Sequence, residues 1–196
     1  MKDVLAIGVT VALLASVGCQ KMDQDETTWT TVAQDGMSDT QAVQRDRALE
    51  ARDAMATRLK GRLMAFLGSD DPAAAIVVCA EEAPQIAADV SQEHDVSIGR
   101  TSFRLRNPKN TPPDWATQFV ADRIDEPVYL TDGRKLGALL PIQLEMACLM
   151  CHGPEDAIPQ EIKESLAEHY PDDQAMGFQR GDLRGWFWIE VSAADR

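Results

Sequence analysis

The chain is short of the residues that most often carry chemistry. Its 196 residues include four cysteines, three histidines and two tyrosines. Positive charge is scarce as well: 19 lysines and arginines face 32 aspartates and glutamates, for a net charge of -13. That deficit excludes nucleic acid, because phosphate binding needs clustered Lys and Arg. It also excludes docking on an anionic membrane surface, while leaving a basic protein partner open. There is no internal repeat and no low-complexity tract. Apart from the first residues, no run is long and apolar enough to cross a bilayer. The apolar share, 44%, is still ample for a globular core.

The first residues read as a targeting segment. Lys2 opens a short n-region, and "VLAIGVTVALLASV", Val4 to Val17, is too short to span a membrane but has the length of a signal-peptide core. It runs into "SVGC", a small residue followed by Cys19, in the manner of the bacterial lipobox, with Ser16 where a Leu is usual. Residues 1–18 are therefore expected to be a lipoprotein-type signal peptide and Cys19 the lipidated residue, with simple secretion as the alternative. Gln20, in place of Asp, would direct such a lipoprotein to the outer membrane. The expectation is a periplasmic, lipid-anchored protein, or else a soluble periplasmic one. Residues 19–37 are polar and aperiodic and read as a flexible tether.

The domain is expected over residues 38–196. "SDTQ" at Ser38 has the pattern of a capping box. The helical pattern that follows carries Leu49, Met55, Leu59, Leu63 and Phe66 near one face and ends at Gly68. A second helix starts at Asp71-Pro72, with Ile76, Cys79, Ala83, Ile86 and Val90 as its buried stripe; Pro84 should interrupt it. "DVSIGRTSFRLRN" alternates like a strand, and "PKNTPPD" is a turn-rich loop. A short helix over "WATQFVADRI" comes next, then a hairpin turning at Asp132-Gly133. An acidic helix over "IPQEIKESLAEHY" and a strand over "GDLRGWFWIEV" complete the series. In that last strand Trp186 and Trp188 share one face and Phe187 and Ile189 the other, so both faces should be covered. Gly181 and Gly185 fit turns. This order gives an α+β domain with a small antiparallel sheet, flanking helices and a preceding N-terminal helix.

Against its scarcity of thiols and imidazoles, the chain sets Cys148, Cys151 and His152 together as C-x-x-C-H. Two thiols at this spacing can add across the two vinyl groups of one haem, and the adjoining histidine can then ligate the iron. At this chain's Cys and His frequencies the pattern arises by chance in roughly one such chain per thousand, treating positions as independent. The expected cofactor is therefore one covalently attached haem c. The competing readings are a disulfide, a thioredoxin-like redox pair, which lacks its βαβ setting here, and a zinc site, which lacks a nearby fourth ligand. For the sixth position of the iron the residues leave several candidates: Cys79, an unpaired thiol on an apolar stripe, together with His94, His169 and Met176. Arg104 and Arg106, flanking Leu105, are candidates for the haem propionates, as are Arg180 and Arg184; ordinary surface roles compete with this.

These features together resemble a known family, the c-type haem proteins with a PAS-like domain. The resemblance runs from about Met55 to Val191 and rests on "VVCAEEAP", "SFRLRNPKNTPPDW", "CLMCHG" and "YPDDQAMGFQRGDLRGWFWIEV". Ala116 stands where an acidic residue is expected. The resemblance implies the PAS-like sheet, haem attachment through the C-x-x-C-H, and Cys79 as the axial ligand opposite His152.

A thiolate ligand stabilises ferric iron and implies a low reduction potential. Two protein ligands leave no open position, so an enzyme is not expected. The leading function is low-potential electron transfer with a redox partner protein, a basic one if the acidic residues Glu155, Asp156, Glu161, Glu164 and Glu168 form the docking face. The alternative is a redox or gas (CO/NO) sensing module. No output module follows the last expected strand, which favours electron transfer. Oligomeric state is not legible.

Overall fold

The computed structural model describes residues 28–193. The expected signal segment, Cys19 and the first part of the tether lie outside the described residues.

Helix α1 (Asp39–Leu67) begins as its sequence dictates. The Ser38 side chain accepts from the Gln41 backbone N–H, and the Gln41 side chain accepts from the Ser38 backbone N–H. Gly68 closes the helix, its N–H reaching back to Met64 and Phe66. The buried face is Gln44, Ala48, Ala51, Met55 and Leu59, a stripe at helical spacing. Ala48 and Ala51 let the helix axis approach the sheet closely. Gln44, the one polar member of the stripe, has its amide satisfied by the carbonyls of Val191 at 2.8 Å and Arg134 at 3.2 Å.

The sheet is antiparallel and five-stranded, in the order β1-β3-β4-β5-β2. Its strands are β1 (Thr30–Thr31), β2 (Ser97–Thr101), β3 (Val128–Thr131), β4 (Lys135–Gln143) and β5 (Leu183–Ser192). The domain is thus α+β, as its pattern predicts. β3 and β4 form the expected hairpin, with Gly133 at φ 90° in the turn. β5 is an interior strand, and its alternation sorts side chains as predicted. Phe187, Ile189 and Val191 join the core under α1; Trp186 joins Trp115, Val120, Leu130 and Leu139 on the opposite face. The Trp186 indole N–H donates to the Ile124 carbonyl at 2.7 Å.

Three features differ from the sequence reading. Thr30–Thr31 fall inside the span read as tether, yet they pair with β3, and Trp29 packs on Trp115 with ring centroids 5.4 Å apart. The strand expected over "DVSIGRTSFRLRN" stops at Thr101, because the Ser102 hydroxyl bonds the Arg184 carbonyl at 2.7 Å and the Arg104 N–H at 3.0 Å, replacing the ladder by a local turn. Arg104 and Arg106 consequently lie in a loop. The second helix is compound: α2 (Ala74–Val77), a π-helical turn (Val78–Glu82) and α3 (Ala83–His94). Pro84, at the start of α3, has no N–H to give the Ala80 carbonyl, and the Ala83 N–H reaches five residues back to Val78. A proline-induced interruption was expected; its π form was not. Among the described residues, no helix is long and apolar enough to cross a membrane.

One close approach is diagnostic. A Cβ on Gly99 of β2 would lie 2.5 Å from the Trp188 indole on β5. Gly99→Ala is expected to cost about 1–3 kcal/mol of stability by overpacking, read as a lower denaturant midpoint at unchanged m-value.

Candidate functional site

The C-x-x-C-H segment is held at both ends. After β4 the Leu144 N–H donates to Asp182 at 3.0 Å and its carbonyl accepts from Gly181 at 2.8 Å. A 3-10 turn (Met146–Cys148) then leads into the single-turn helix α5 (Leu149–His152). The chain leaves α5 through Gly153, where any Cβ would crowd the Leu149 carbonyl. Beyond it, after 3-10 turn Glu155–Ala157 and helix α6 (Gln160–His169), the segment 173–178 returns and clasps the motif. Gly177 N–H bonds the Gly153 carbonyl at 2.7 Å and Phe178 N–H the His152 carbonyl at 2.9 Å.

Arg106 locks this clasp. It forms an ion pair with Asp173 at 3.0 Å, the two side chains only 7% and 5% exposed. The same guanidinium donates to the carbonyls of Cys151 at 2.5 Å and Ala175 at 3.3 Å. The Ala175 carbonyl also takes the Nδ1–H of His152 at 2.7 Å. That bond fixes the ring and its tautomer and leaves Nε2 with its lone pair. Burial holds the His152 imidazole well below its usual pKa, with the guanidiniums of Arg106 and Arg184 adding to the effect. The ring is thus neutral and ligand-competent. Its remaining exposure is toward a cavity.

That cavity, of about 300 Å³, has walls from separate parts of the chain. It lies at the small end of the range for organic ligands. Leu59 and Leu63 of α1 and Ile76 of α2 supply apolar surface, and Cys79 comes from the π turn. Cys148, Cys151 and His152 form another wall, and Arg100, Ile142, Phe187 and Arg184 come from the sheet. The three described cysteines are all unpaired. Burial pushes the Cys151 thiol up to about 11. A dithiol redox centre wants the opposite shift, toward a stabilised thiolate. Among the described residues no group of three or more His, Cys, Asp or Glu is arranged to hold a bare metal ion.

The candidate residues separate cleanly. Cys79, Cys148, Cys151, His152, Arg106 and Arg184 line the cavity. His94, His169, Met176, Arg104 and Arg180 do not. Met176 packs in the same apolar cluster as Cys79 and Cys151, and His169 is tied through Nδ1 to its own helix at Ser165. Arg104 bonds the carbonyls of Gln174 and Met176 and stacks on Phe178. Two cavity residues escaped the sequence reading. Tyr170, buried, is pushed up to about 12 by burial and then by Cys79. Arg100 lay hidden in an alternating strand, where nothing local distinguishes it from a surface arginine.

A family model, Tll0287-like, matches residues 23–192. A solved structure, that of the cyanobacterial heme-protein Tll0287, superposes with a TM-score of 0.56 at 22% identity, covering 77% of this chain and 96% of that one. No curated protein matches.

Two measurements test the clasp. Arg106→Met strands the Asp173 carboxylate in the interior and is expected to cost about 3–5 kcal/mol, much of it recovered by pairing it with Asp173→Leu. The second concerns acid. A histidine whose folded pKa is depressed contributes stability above its unfolded pKa of about 6.5 and loses it as pH falls toward the folded value. Unfolding free energy of the chain without a prosthetic group should drop between pH 7.5 and 5, and His152→Gln should flatten that slope.

Proposed function

The chain belongs to the Tll0287-like family, and on that premise we propose that its cavity holds one covalently attached haem c and that the protein carries electrons at low potential. The observation that carries this is the convergence of Cys79, Cys148, Cys151 and an Nδ1-anchored His152 on one cavity. Those donors fit a haem c: two thiols for the vinyl groups, an imidazole beside them, and a third thiol on a different wall that could also reach the iron. The related cyanobacterial structure is described as a heme-protein. The five-stranded antiparallel sheet with its flanking helices is compatible with a PAS-like domain.

The haem iron would supply one-electron chemistry. The chain's own residues set its terms. Ala175 keeps the His152 Nε2 lone pair directed away from the backbone and available to metal. The Arg106–Asp173 pair fixes the backbone at Cys151, and so the spacing of the two thioether positions. Cys79, as a thiolate ligand, would favour the ferric state and so lower the potential. The apolar part of the lining, Leu59, Leu63, Ile76 and Phe187, would pack on the macrocycle and limit reorganisation there. Were His152 and Cys79 both to hold the iron, electron transfer would need only a docking surface, and catalysis is not proposed. Met146, 64% exposed, and Met64, on the rim of the cavity, offer an apolar contact. Glu161, Glu164 and Glu168 are exposed along α6 and suit a basic partner. Export, with Cys19 as a lipid anchor, completes the proposal, since haem of this type is attached outside the cytoplasm.

A second reading, redox or gas sensing, has one observation in its favour. Cys79 sits in a π turn, a form that interconverts with ordinary α-helix and marks functional positions. Loss of the thiol would release that turn.

Visible spectra decide these points. The wild type, made in a host that matures c-type cytochromes, should keep its haem through denaturation and show a low-spin ferric spectrum of thiolate character. Cys148→Ala with Cys151→Ala should lose the covalent haem. Cys79→Ser should abolish the thiolate signature and raise the potential; an unchanged spectrum would remove Cys79 as ligand. Rapid, tight carbon monoxide binding to the reduced wild type would favour sensing, and indifference electron transfer.

A further inference from the structure

The charges lining the cavity do not balance. Lys60 is paired with Glu145, and Arg106 with Asp173. Arg100 and Arg184 also line the cavity, and among the described residues neither has a carboxylate partner. Arg184 is the more constrained. Its Nη1 donates to the Ser102 hydroxyl at 2.8 Å and the Arg104 carbonyl at 3.1 Å, while its Nε is buried with no hydrogen-bond partner. A half-buried guanidinium whose Nε is shut off from water without a partner is costly unless an anion meets it. Burial and the nearby guanidiniums of Arg106 and Arg100 push Arg184 down to about 9, yet such a group does not give up its proton in practice.

The backbone is shaped to put Arg184 there. On β4, Ile142 pairs with Gly185, but the next residue, Gln143, pairs with Leu183. Arg184 is therefore the extra residue of a β-bulge. Strict alternation from Phe187 would place Arg184 on the Trp186 face. Instead Leu183 packs with the Trp186 cluster and Arg184 turns to the cavity, beside Phe187. Re-aiming a side chain is what bulges accomplish beside functional sites. Gly185 permits it, since a Cβ there would collide with the Thr101 carbonyl of β2.

We propose that Arg100 and Arg184 form a carboxylate cradle that receives the two propionates of the haem, turning the acidic edge of the macrocycle inward against the sheet. The proposal rests on the haem reading above. A haem carries its two carboxylates on the edge away from its two vinyl groups. The vinyl edge belongs at Cys148 and Cys151, and two unpaired guanidiniums elsewhere on the cavity wall match two propionates in number and charge. Arg106 is already engaged with Asp173, and Arg104 does not line the cavity. Inward propionates would keep the anionic edge away from the cavity rim, where Met64 and the exposed Lys60–Glu145 pair lie.

The test uses mature protein whose haem propionates carry carbon-13 carboxyls, compared by redox-difference infrared spectroscopy. Arg184→Lys and Arg100→Lys should each shift the labelled carboxylate bands, and Arg104→Lys should not. Arg184→Leu should raise the ferric-to-ferrous ratio at a fixed potential about tenfold, as loss of one nearby positive charge in a low-dielectric site requires. If Arg184→Leu fails to mature, Arg184→Lys carries the test. Labelled bands that match wild type in both lysine variants overturn the cradle and leave the haem reading intact. Wild type that carries no haem overturns the haem reading, and the cradle with it.

Discussion

One buried ion pair sets the geometry of the site. Arg106 and Asp173 come from two loops, and the bond between them is nearly shielded from water. Such a pair adds little net stability over a hydrophobic replacement, because desolvation offsets its attraction. Its use here is positional. The guanidinium has donors left over, and they go to the carbonyls of Cys151 and Ala175. Ala175 in turn orients His152, and Asp173 Oδ1 accepts the Ala175 N–H at 2.7 Å. The backbone at Cys151 and the orientation of the imidazole thus share one charged contact, which the backbone bonds of the clasp reinforce.

The cavity follows from what surrounds this clasp. α1 covers one face of the sheet only as far as its small residues allow close approach, and its later turns carry Leu59 and Leu63 over open space. The compound helix bearing Cys79 closes that space from another side, packing Ile76 on Ile162, Leu166 and Tyr170. Apolar walls with a cationic end suit a flat apolar ligand that carries anionic groups along one edge. Filling the space would add burial to both helices and neutralise the end that is costly when bare. Binding of such a ligand would therefore be coupled to folding.

The sequence made some of this plain and concealed the rest, for physical reasons. The capping box, the hairpin glycine and the two-faced last strand are local signals, and the structure has them where the pattern puts them. The C-x-x-C-H is local too. Cys79 was visible as a thiol on a buried stripe, but whether it met the motif depended on tertiary packing. The π turn was half visible: Pro84 announces an interruption, and which hydrogen bonds replace the lost one depends on neighbours. β1 was invisible, since two threonines make no pattern, and only the hairpin edge makes them a strand. The arginines were the hardest. Arg104, Arg106 and Arg184 differ in role through partners that are 45 or more residues away, such as Cys151 for Arg106, and Arg184 also through a bulge no propensity reveals.

The two walls carrying the axial candidates differ in how they are held, and this bears on mechanism. The His152 wall is fixed by a buried ion pair and a set of backbone bonds. The Cys79 wall is held by apolar packing, by a 3.4 Å contact from the Ser165 hydroxyl to the Ala73 carbonyl, and by an ion pair from Glu82 of the π turn to Arg62 of α1 that, unlike the buried Arg106–Asp173 pair, is exposed to water. A ligand exchange would therefore occur on the Cys79 side. Its motion would pass through Ile76 to α6, whose outer face carries Glu161, Glu164 and Glu168. That is the surface proposed above for a basic redox partner. Were the proposed haem bound, carrying an electron and reporting the state of the iron would draw on one path, and the stiffness of the Cys79 wall would set the balance between them.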